Sequence, residues 1–286
     1  MNKRLSDYFD SFEVSCDGTF IELGHADSTM TGTLAYCDTV HYLCIAATNP
    51  CVSCVLTTPA LAEQAVAGKG LGVFADPRSA FYRLHERLDD NVLQGGTIIH
   101  PSAIVSAKAK IGRGVVIAER VVIKDNVVVG DDSFIDAGAI LGAEGLLYIR
   151  EGGNNHRIRH RGGVHIGTHV TILANAVVAR AIHPGIPTHI GDYSVVGISS
   201  TIGHEANVGR NCVISGNCVI ARRARIGDGA WVGASAMVRE YVQVGACASV
   251  KAGSVVVEDV SEGHEVSGNF AVSHRRHMMQ YLKEKE

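Results

Sequence analysis

His204 stands in the stretch Ser199-Ser-Thr-Ile-Gly-His204-Glu-Ala-Asn-Val-Gly209, two residues past an isoleucine and one past a glycine. Imidazole ordinarily titrates near neutrality, so a histidine held outward on a rigid support can take a proton from a nucleophile at working pH. The plainer alternative is a solvated surface histidine. Other polar groups gather in two stretches. Gly145 to Gly163 is rich in Gly, Asn, His and Arg and contains His160. Ala181-Ile-His-Pro-Gly-Ile-Pro-Thr188 contains His183 and follows Arg180. His160, Arg180 and His183 are therefore candidate contacts to a sugar or a phosphate. Arg222-Arg223 is a cationic pair that could meet phosphates or simply be two exposed charges. Cys51-Val-Ser-Cys54 is a lone C-x-x-C with no second pair, and reads as a buried strand before a redox or zinc site.

What must position these groups is a count of six. An aliphatic residue recurs at Ile99, Val105, Ile111, Ile117, Ile123, Val129, Ile135 and Leu141. It recurs again at Ile166, Ile172 and Val178, then without a gap from Ile190 through Val196, Ile202, Val208, Ile214, Ile220, Ile226, Val232, Val238, Val244 and Val250 to Val256. Helical faces return at about 3.6 residues and strand faces at 2, so neither explains this period. Hexapeptide repeats build a parallel β-helix in which each hexad is one side of a coil and the aliphatic side chains stack into one core. The position four later is small or modest (Ala103, Val115, Val121, Val127, Ser133, Cys212, Cys218, Ala230), which suits a tight inward corner. Cys212 and Cys218 are read there as small apolar core residues. His204 is third in its hexad and should point outward. The two polar stretches interrupt the count, Pro184 standing where an aliphatic residue is due. Loops thrown out from a repeat scaffold commonly build its binding face.

Residues 1–97 show no such count. They mix strand-like runs (Thr19 to Leu23, Cys51 to Leu56, Gly70 to Phe74) with a helix opened by Asp76 as N-cap and Pro77. Phe81, Leu84 and Leu88 give that helix its apolar stripe. The chain divides into a small α/β domain (1–97), a β-helix (98–260) and a tail with a short helix (261–286). A net charge of −3 and a pI near 6.5 give no global attraction to nucleic acid. The first fourteen residues do not read as a signal peptide, and no apolar run approaches the ~18 residues of a membrane span. Eight cysteines without framework spacing suit a reducing cytoplasm.

Ile202-Gly-His204-Glu, followed by gapless hexads, resembles the I-A-H-[ND] stretch of the hexapeptide acyltransferases of lipid A synthesis. Leu141-Gly-Ala-Glu-Gly145, Tyr148 and Arg157-Ile-Arg-His-Arg-Gly-Gly-Val164 are similar to the loop of UDP-3-O-acylglucosamine N-acyltransferases. Tyr36-Cys-Asp-Thr-Val-His-Tyr42 and Asp76-Pro-Arg-Ser-Ala-Phe81 echo their first domain. The resemblance implies a left-handed β-helix, a homotrimer with sites between subunits, and transfer of an acyl group from a thioester to the amine of a nucleotide-linked sugar. It implies His204 as general base and the backbone N–H of Arg222, where the family has Gly, as oxyanion donor. It makes Tyr36 and Tyr42 candidates for stacking on a base, against a plainer role as core or strand aromatics.

The departures have content. Glu205 replaces Asn or Asp, Tyr241 a second His, Gly197 an acidic residue and Thr39 an Asn, and the tail is short. Ser267-Gly-Asn269-Phe-Ala271 is similar to the G-N-P-A turn of acetyl-coenzyme A-dependent relatives. Together these favour a coenzyme A thioester of a short acyl group over acyl carrier protein, with Arg223 and Asn269 as donor contacts and an amino-deoxy sugar for surface polysaccharide as acceptor. The lipid A enzyme itself is the alternative. No permanently bound cofactor or metal is expected. A zinc enzyme of the γ-carbonic anhydrase kind, using three of His156, His160, His165, His169, His183 and His189, is a second class. A β-helix that only binds a nucleotide sugar is a third. Outward Val116, Val122 and Val128 need cover, as a trimer would give.

Overall fold

In a computed structural model, residues 2–64, 68–88 and 96–284 are described, and the chain separates into two compact units, Met1–Gln94 and Gly95–Glu286.

In the first unit, parallel strands Glu22–Leu23, Thr33–Cys37, Val52–Thr57 and Gly70–Val73 are joined at one edge by antiparallel Val14–Cys16. The central strands carry apolar residues on both faces, as covered parallel strands must. Leu34, Cys54 and Leu56 pack with Phe81 and Leu84 of helix Pro77–Arg87. Ala35, Cys37 and Val55 pack with Leu43 and Ala46 of helix Val40–Thr48. Asp76 caps its helix as its sequence position predicts, accepting from Ser79 N at 3.0 Å. Thr39 caps the other by accepting from Tyr42 N at 3.4 Å. Cys54 lies buried in the strand, while Cys51 sits in the turn before it.

The second unit is a parallel β-helix with three faces. Strand Ile98–Ile99 begins the first face, Ile104–Val105 the second and Lys110–Ile111 the third, and each later hexad extends the next face in turn. Strands pair in parallel with the coil above, as in Ile117 with Ile135 and Ile202 with Ile220. The aliphatic positions are sealed from Ile117 to Val256, and Cys212 and Cys218 lie among them, fully buried and free. Ile99, on the first coil among the described residues, is 46% exposed.

Most turns place one residue in the left-handed region, three after the aliphatic one. Gly, Asn and Asp fill it cheaply at Gly114, Asn126, Asp132, Asn175 and Asn211. After the last coil, Glu265–Ser267 and Val272–Ser273 form an antiparallel pair that leads into helix His274–Lys283. Among the described residues no helix is long and apolar enough to cross a membrane.

Candidate active site

The coil count places the chemistry at one corner. The passages from the second face to the third are residues 106–109, 124–126, 144–163, 180–187, 203–206, 221–224 and 239–242, with a last one after Val256. Both interruptions, His204 and Arg222-Arg223 therefore line the same edge, one coil after another. The two loops are laced together by their backbones: Arg161 N donates to Ile182 O and Gly162 N to Ala181 O, each at 2.9 Å.

His204 leaves its coil outward, as expected, but does not reach open solvent. It is 4% exposed because the first loop closes over it. Its ring meets that of His160 edge to face, centroids 5.1 Å apart. A Cβ on Gly145 would lie 2.8 Å from His204 Cδ2 and 2.9 Å from His160 Cε1, so only glycine lets the loop pass. Burial, then the charge His160 can carry, push the His204 pKa below its ordinary 6.5. Glu205 opposes this and Arg222 and Arg223 add to it. The imidazole is thus neutral at pH 7, the form a base requires. Nδ1 is sealed and makes no hydrogen bond, whereas Nε2 is not among the sealed atoms. Glu205 Oε2 lies 3.9 Å from Nδ1, too far for a hydrogen bond but near enough to favour an imidazolium when one forms.

Glu205 is itself buried, its side chain 3% exposed. Burial alone would raise its pKa. The hydrogen bond and charge of Arg223 outweigh this, helped by His204 and the backbone of His183, and the carboxyl stays below its usual range. Arg223 Nε donates to Oε2 at 2.5 Å, and Glu205 N donates to Thr188 Oγ1 at 2.8 Å. Arg222 and Arg223 both lie over the Tyr241 ring, at 5.4 and 5.8 Å. The backbone N–H of Arg222 has no hydrogen-bond partner among the described residues. It sits directly over the next coil: a Cβ on Gly203 would come within 2.6 Å of Arg222 N.

Several sequence expectations change. Arg223 is committed to Glu205, which takes it out of the free cations available to a donor phosphate. Arg180 is buried, giving Nε to Gly162 O at 3.1 Å and its terminal nitrogens to Asp125, so it fastens the loop and presents little to a ligand. His160 is 1% exposed, Nδ1 lying 3.1 Å from Arg180 O, and packs against His204. His183 is exposed on the second loop. Asn269 is exposed in the turn after the last coil. In the first unit, Tyr36 and Tyr42 line a cavity of ≈ 410 Å³ with His25, Asp27 and Asp38, beyond the carboxyl end of strand Thr33–Cys37. Such ends are where open parallel sheets bind ligands. The histidines named for zinc are dispersed: His165 pairs with His189, His169 stacks on Tyr193, and among the described residues no three His, Cys, Asp or Glu side chains converge as a metal-binding group. Sequence reading gave Glu205 no role and did not see that His204 is roofed. Counting hexads in threes would have placed both loops above it.

Residues 108–143 match the bacterial transferase hexapeptide model (six repeats), and residues 187–222, which include His204 and Arg222, match the hexapeptide repeat of succinyl-transferase. The chain is 27% identical over 185 residues to the UDP-3-O-acylglucosamine N-acyltransferase of Paracidovorax citrulli (strain AAC00-1), covering 57% of this chain and 55% of that protein. The chain thus spans about half the length of that relative. Among solved structures, LpxA of Bacteroides fragilis 9343, a UDP-N-acetylglucosamine acyltransferase, superposes with a TM-score of 0.53 at 22% identity over 62% of this chain and 73% of that one. LpxA of Acinetobacter baumannii gives 0.50 at 20% identity over 65% and 75%. The fold is a left-handed β-helix of hexapeptide repeats.

Proposed function

We propose that the chain is a sugar N-acyltransferase that moves a short acyl group, acetyl in the simplest case, from coenzyme A to the amine of a nucleotide-linked amino-deoxy sugar for surface polysaccharide. The observation that carries this reading is the corner itself: a neutral imidazole, flanked by a buried carboxylate, one coil from an unpaired backbone N–H. The relative in P. citrulli and the transferase hexapeptide repeats support the same class.

The chemistry follows from those groups. The amine, free of its first extra proton, attacks the thioester carbonyl carbon through its lone pair. His204 Nε2 takes the N–H proton as the C–N bond forms, and Glu205 stabilises the imidazolium from the Nδ1 side. The carbonyl oxygen becomes an oxyanion and accepts from Arg222 N–H. Collapse breaks the C–S bond, and the proton on His204 passes to the leaving thiolate. Amide and free thiol result, with atoms and charge balanced.

Tyr36 and Tyr42 would stack on the nucleobase in the first unit, and His183 and Asn269 remain candidate contacts to sugar and donor. The reaction is placed in the cytoplasm, consistent with eight free cysteines. The alternative acceptor and donor are those of UDP-3-O-acylglucosamine N-acyltransferase with an acyl carrier protein thioester, which the likeness to the P. citrulli enzyme favours.

Thiol release tests all of this. Acetyl-coenzyme A and carrier-protein thioesters are offered with UDP- and dTDP-linked amino sugars. Release from one coenzyme A and sugar pair is expected, and His204→Ala should lower kcat/KM by about 10²–10⁴-fold. Release only from the carrier protein returns the chain to the lipid A alternative. No release from any pair leaves the binding-protein reading.

A further inference from the structure

A groove of ≈ 450 Å³ opens beside the two loops, on the third face of the β-helix. Lys108, Lys110, Arg161 and His165 line it, and no carboxylate does. Some cations elsewhere on this helix are neutralised singly by a carboxylate on a neighbouring coil, as Arg113 is by Asp131, Arg210 by Asp192 and Lys251 by Glu265, whereas here three gather around one concavity. The side chains of Lys108, Lys110 and Arg161 have no hydrogen-bond or ion-pair partner among the described residues. Three unneutralised cations around one concavity repel each other, and an anion removes that repulsion.

The groove is also built to hold its shape. Pro184 and Pro187 wall one side. Arg161 is set by the lacing of the loops, and the two glycines after it permit that lacing. A Cβ on Gly162 would lie 2.3 Å from His183 O, and one on Gly163 2.0 Å from Asn126 O. His165 continues the line to His189, ring centroids 5.3 Å apart on the next coil. Burial, then the neighbouring His165, lower the His189 pKa, so the His189 ring adds a neutral donor and acceptor along the face.

We infer that this groove binds a pyrophosphate group, the diphosphate of a nucleotide substrate. Two lysines act as point charges and an arginine as a planar fork, the combination that suits several phosphate oxygens at once. The inference deepens the acyl-transfer reading and rests on it only for which nucleotide is bound: the sugar nucleotide or coenzyme A, which both carry a pyrophosphate.

Titration calorimetry of the intact chain with inorganic pyrophosphate tests the site directly. Wild type should bind, more weakly as salt rises. Lys108→Ala with Lys110→Ala, and separately Arg161→Gln, should each weaken binding by about tenfold or more. Arg225→Ala, on the same face but outside the groove, should leave it unchanged, and matching unfolding temperatures show that all variants are folded. UDP displacing pyrophosphate identifies the sugar nucleotide, and coenzyme A displacing it identifies the donor. No binding by wild type, equal binding by the groove variants, or displacement by neither nucleotide overturns the inference. Thiol release with an unchanged KM in the groove variants would remove the groove and leave the reaction. Pyrophosphate binding lost in those variants, without thiol release from any substrate pair, would do the reverse.

Discussion

Glu205 occupies the left-handed backbone slot that many coils give to Gly, Asn or Asp and some to larger residues. Its φ is 60°, and a side chain without a short polar handle costs about 1–2 kcal/mol there. Arg223 and Tyr241, on the next two coils of the same corner, carry the same strain at φ 58° and 65°. Arg120, His169, Tyr193 and Cys247 carry the same backbone at other corners, so what sets this edge apart is the contact of Arg223 with Glu205 and with the Tyr241 ring. Glu205 is the one named charge that raises the His204 pKa. Glu205→Gln should therefore move the acid limb of kcat/KM to lower pH and cut the plateau by about tenfold or more. A limb that moves to higher pH, or an unchanged plateau, would remove Glu205 from the mechanism. The same histidine sets a stability trend. The folded pKa values of His204 and His189 lie below the ordinary 6.5, so as pH falls the unfolded chain binds these protons first. Their contribution is complete above about pH 6.5 and is lost as pH falls through that value toward the folded pKa. Denaturant midpoints measured from pH 8 to 5 should fall on the acid side, and less so in His204→Gln.

At the scale of elements, the first loop is a roof held by one glycine. Strands Tyr148–Glu151 and Asn154–Arg157 form an exposed antiparallel hairpin, while the loop's base at Gly145 and His160 grips His204. The grip and the hairpin are separable. Gly145→Ala must push the His204 or His160 ring by several tenths of an ångström, and should cost about tenfold or more in kcat/KM. Because the coils beneath are untouched, the unfolding temperature should change little. A fully active Gly145→Ala variant would show that the roof moves away before catalysis. Replacing Gly203 acts differently: its Cβ would strike the backbone of Ala221 and Arg222, so overpacking of about 1–3 kcal/mol accompanies the loss of the donor's position.

For the whole molecule, the three faces differ outwardly. The first carries Val116, Phe134, Val195, Val213 and Trp231 in register. The second carries Ile104, Val122, Ile140, Val177 and Val219. The third is polar, with Lys110, His165, His189, Asn207 and Arg225, and Val128 stands alone in it. Val116 and Val122 thus belong to apolar columns, but Val128 does not. Trp231 is 52% and Ile104 67% exposed, and such columns call for a partner. The proposed homotrimer would cover them through one contact repeated three times. Sedimentation should give a trimer, and Trp231→Asp should shift it toward monomer. A wild type that sediments only as monomer would sink the trimer.

The sequence alone determined the β-helix, because a period of six has one structural solution and each aliphatic residue reports its own coil. It determined the capped helix after Asp76, because capping is local, and it singled out His204. It could not say that the corner residues meet. Three hexads make a coil, so His204, Arg222 and the loops that begin at 144 and 180 are neighbours only once the coils are stacked. Nor could it say that His204 is covered, that Arg223 serves Glu205, or that Arg180 fastens a loop. Those depend on where inserted residues fold back across the coils, and packing between residues distant in the chain decides that.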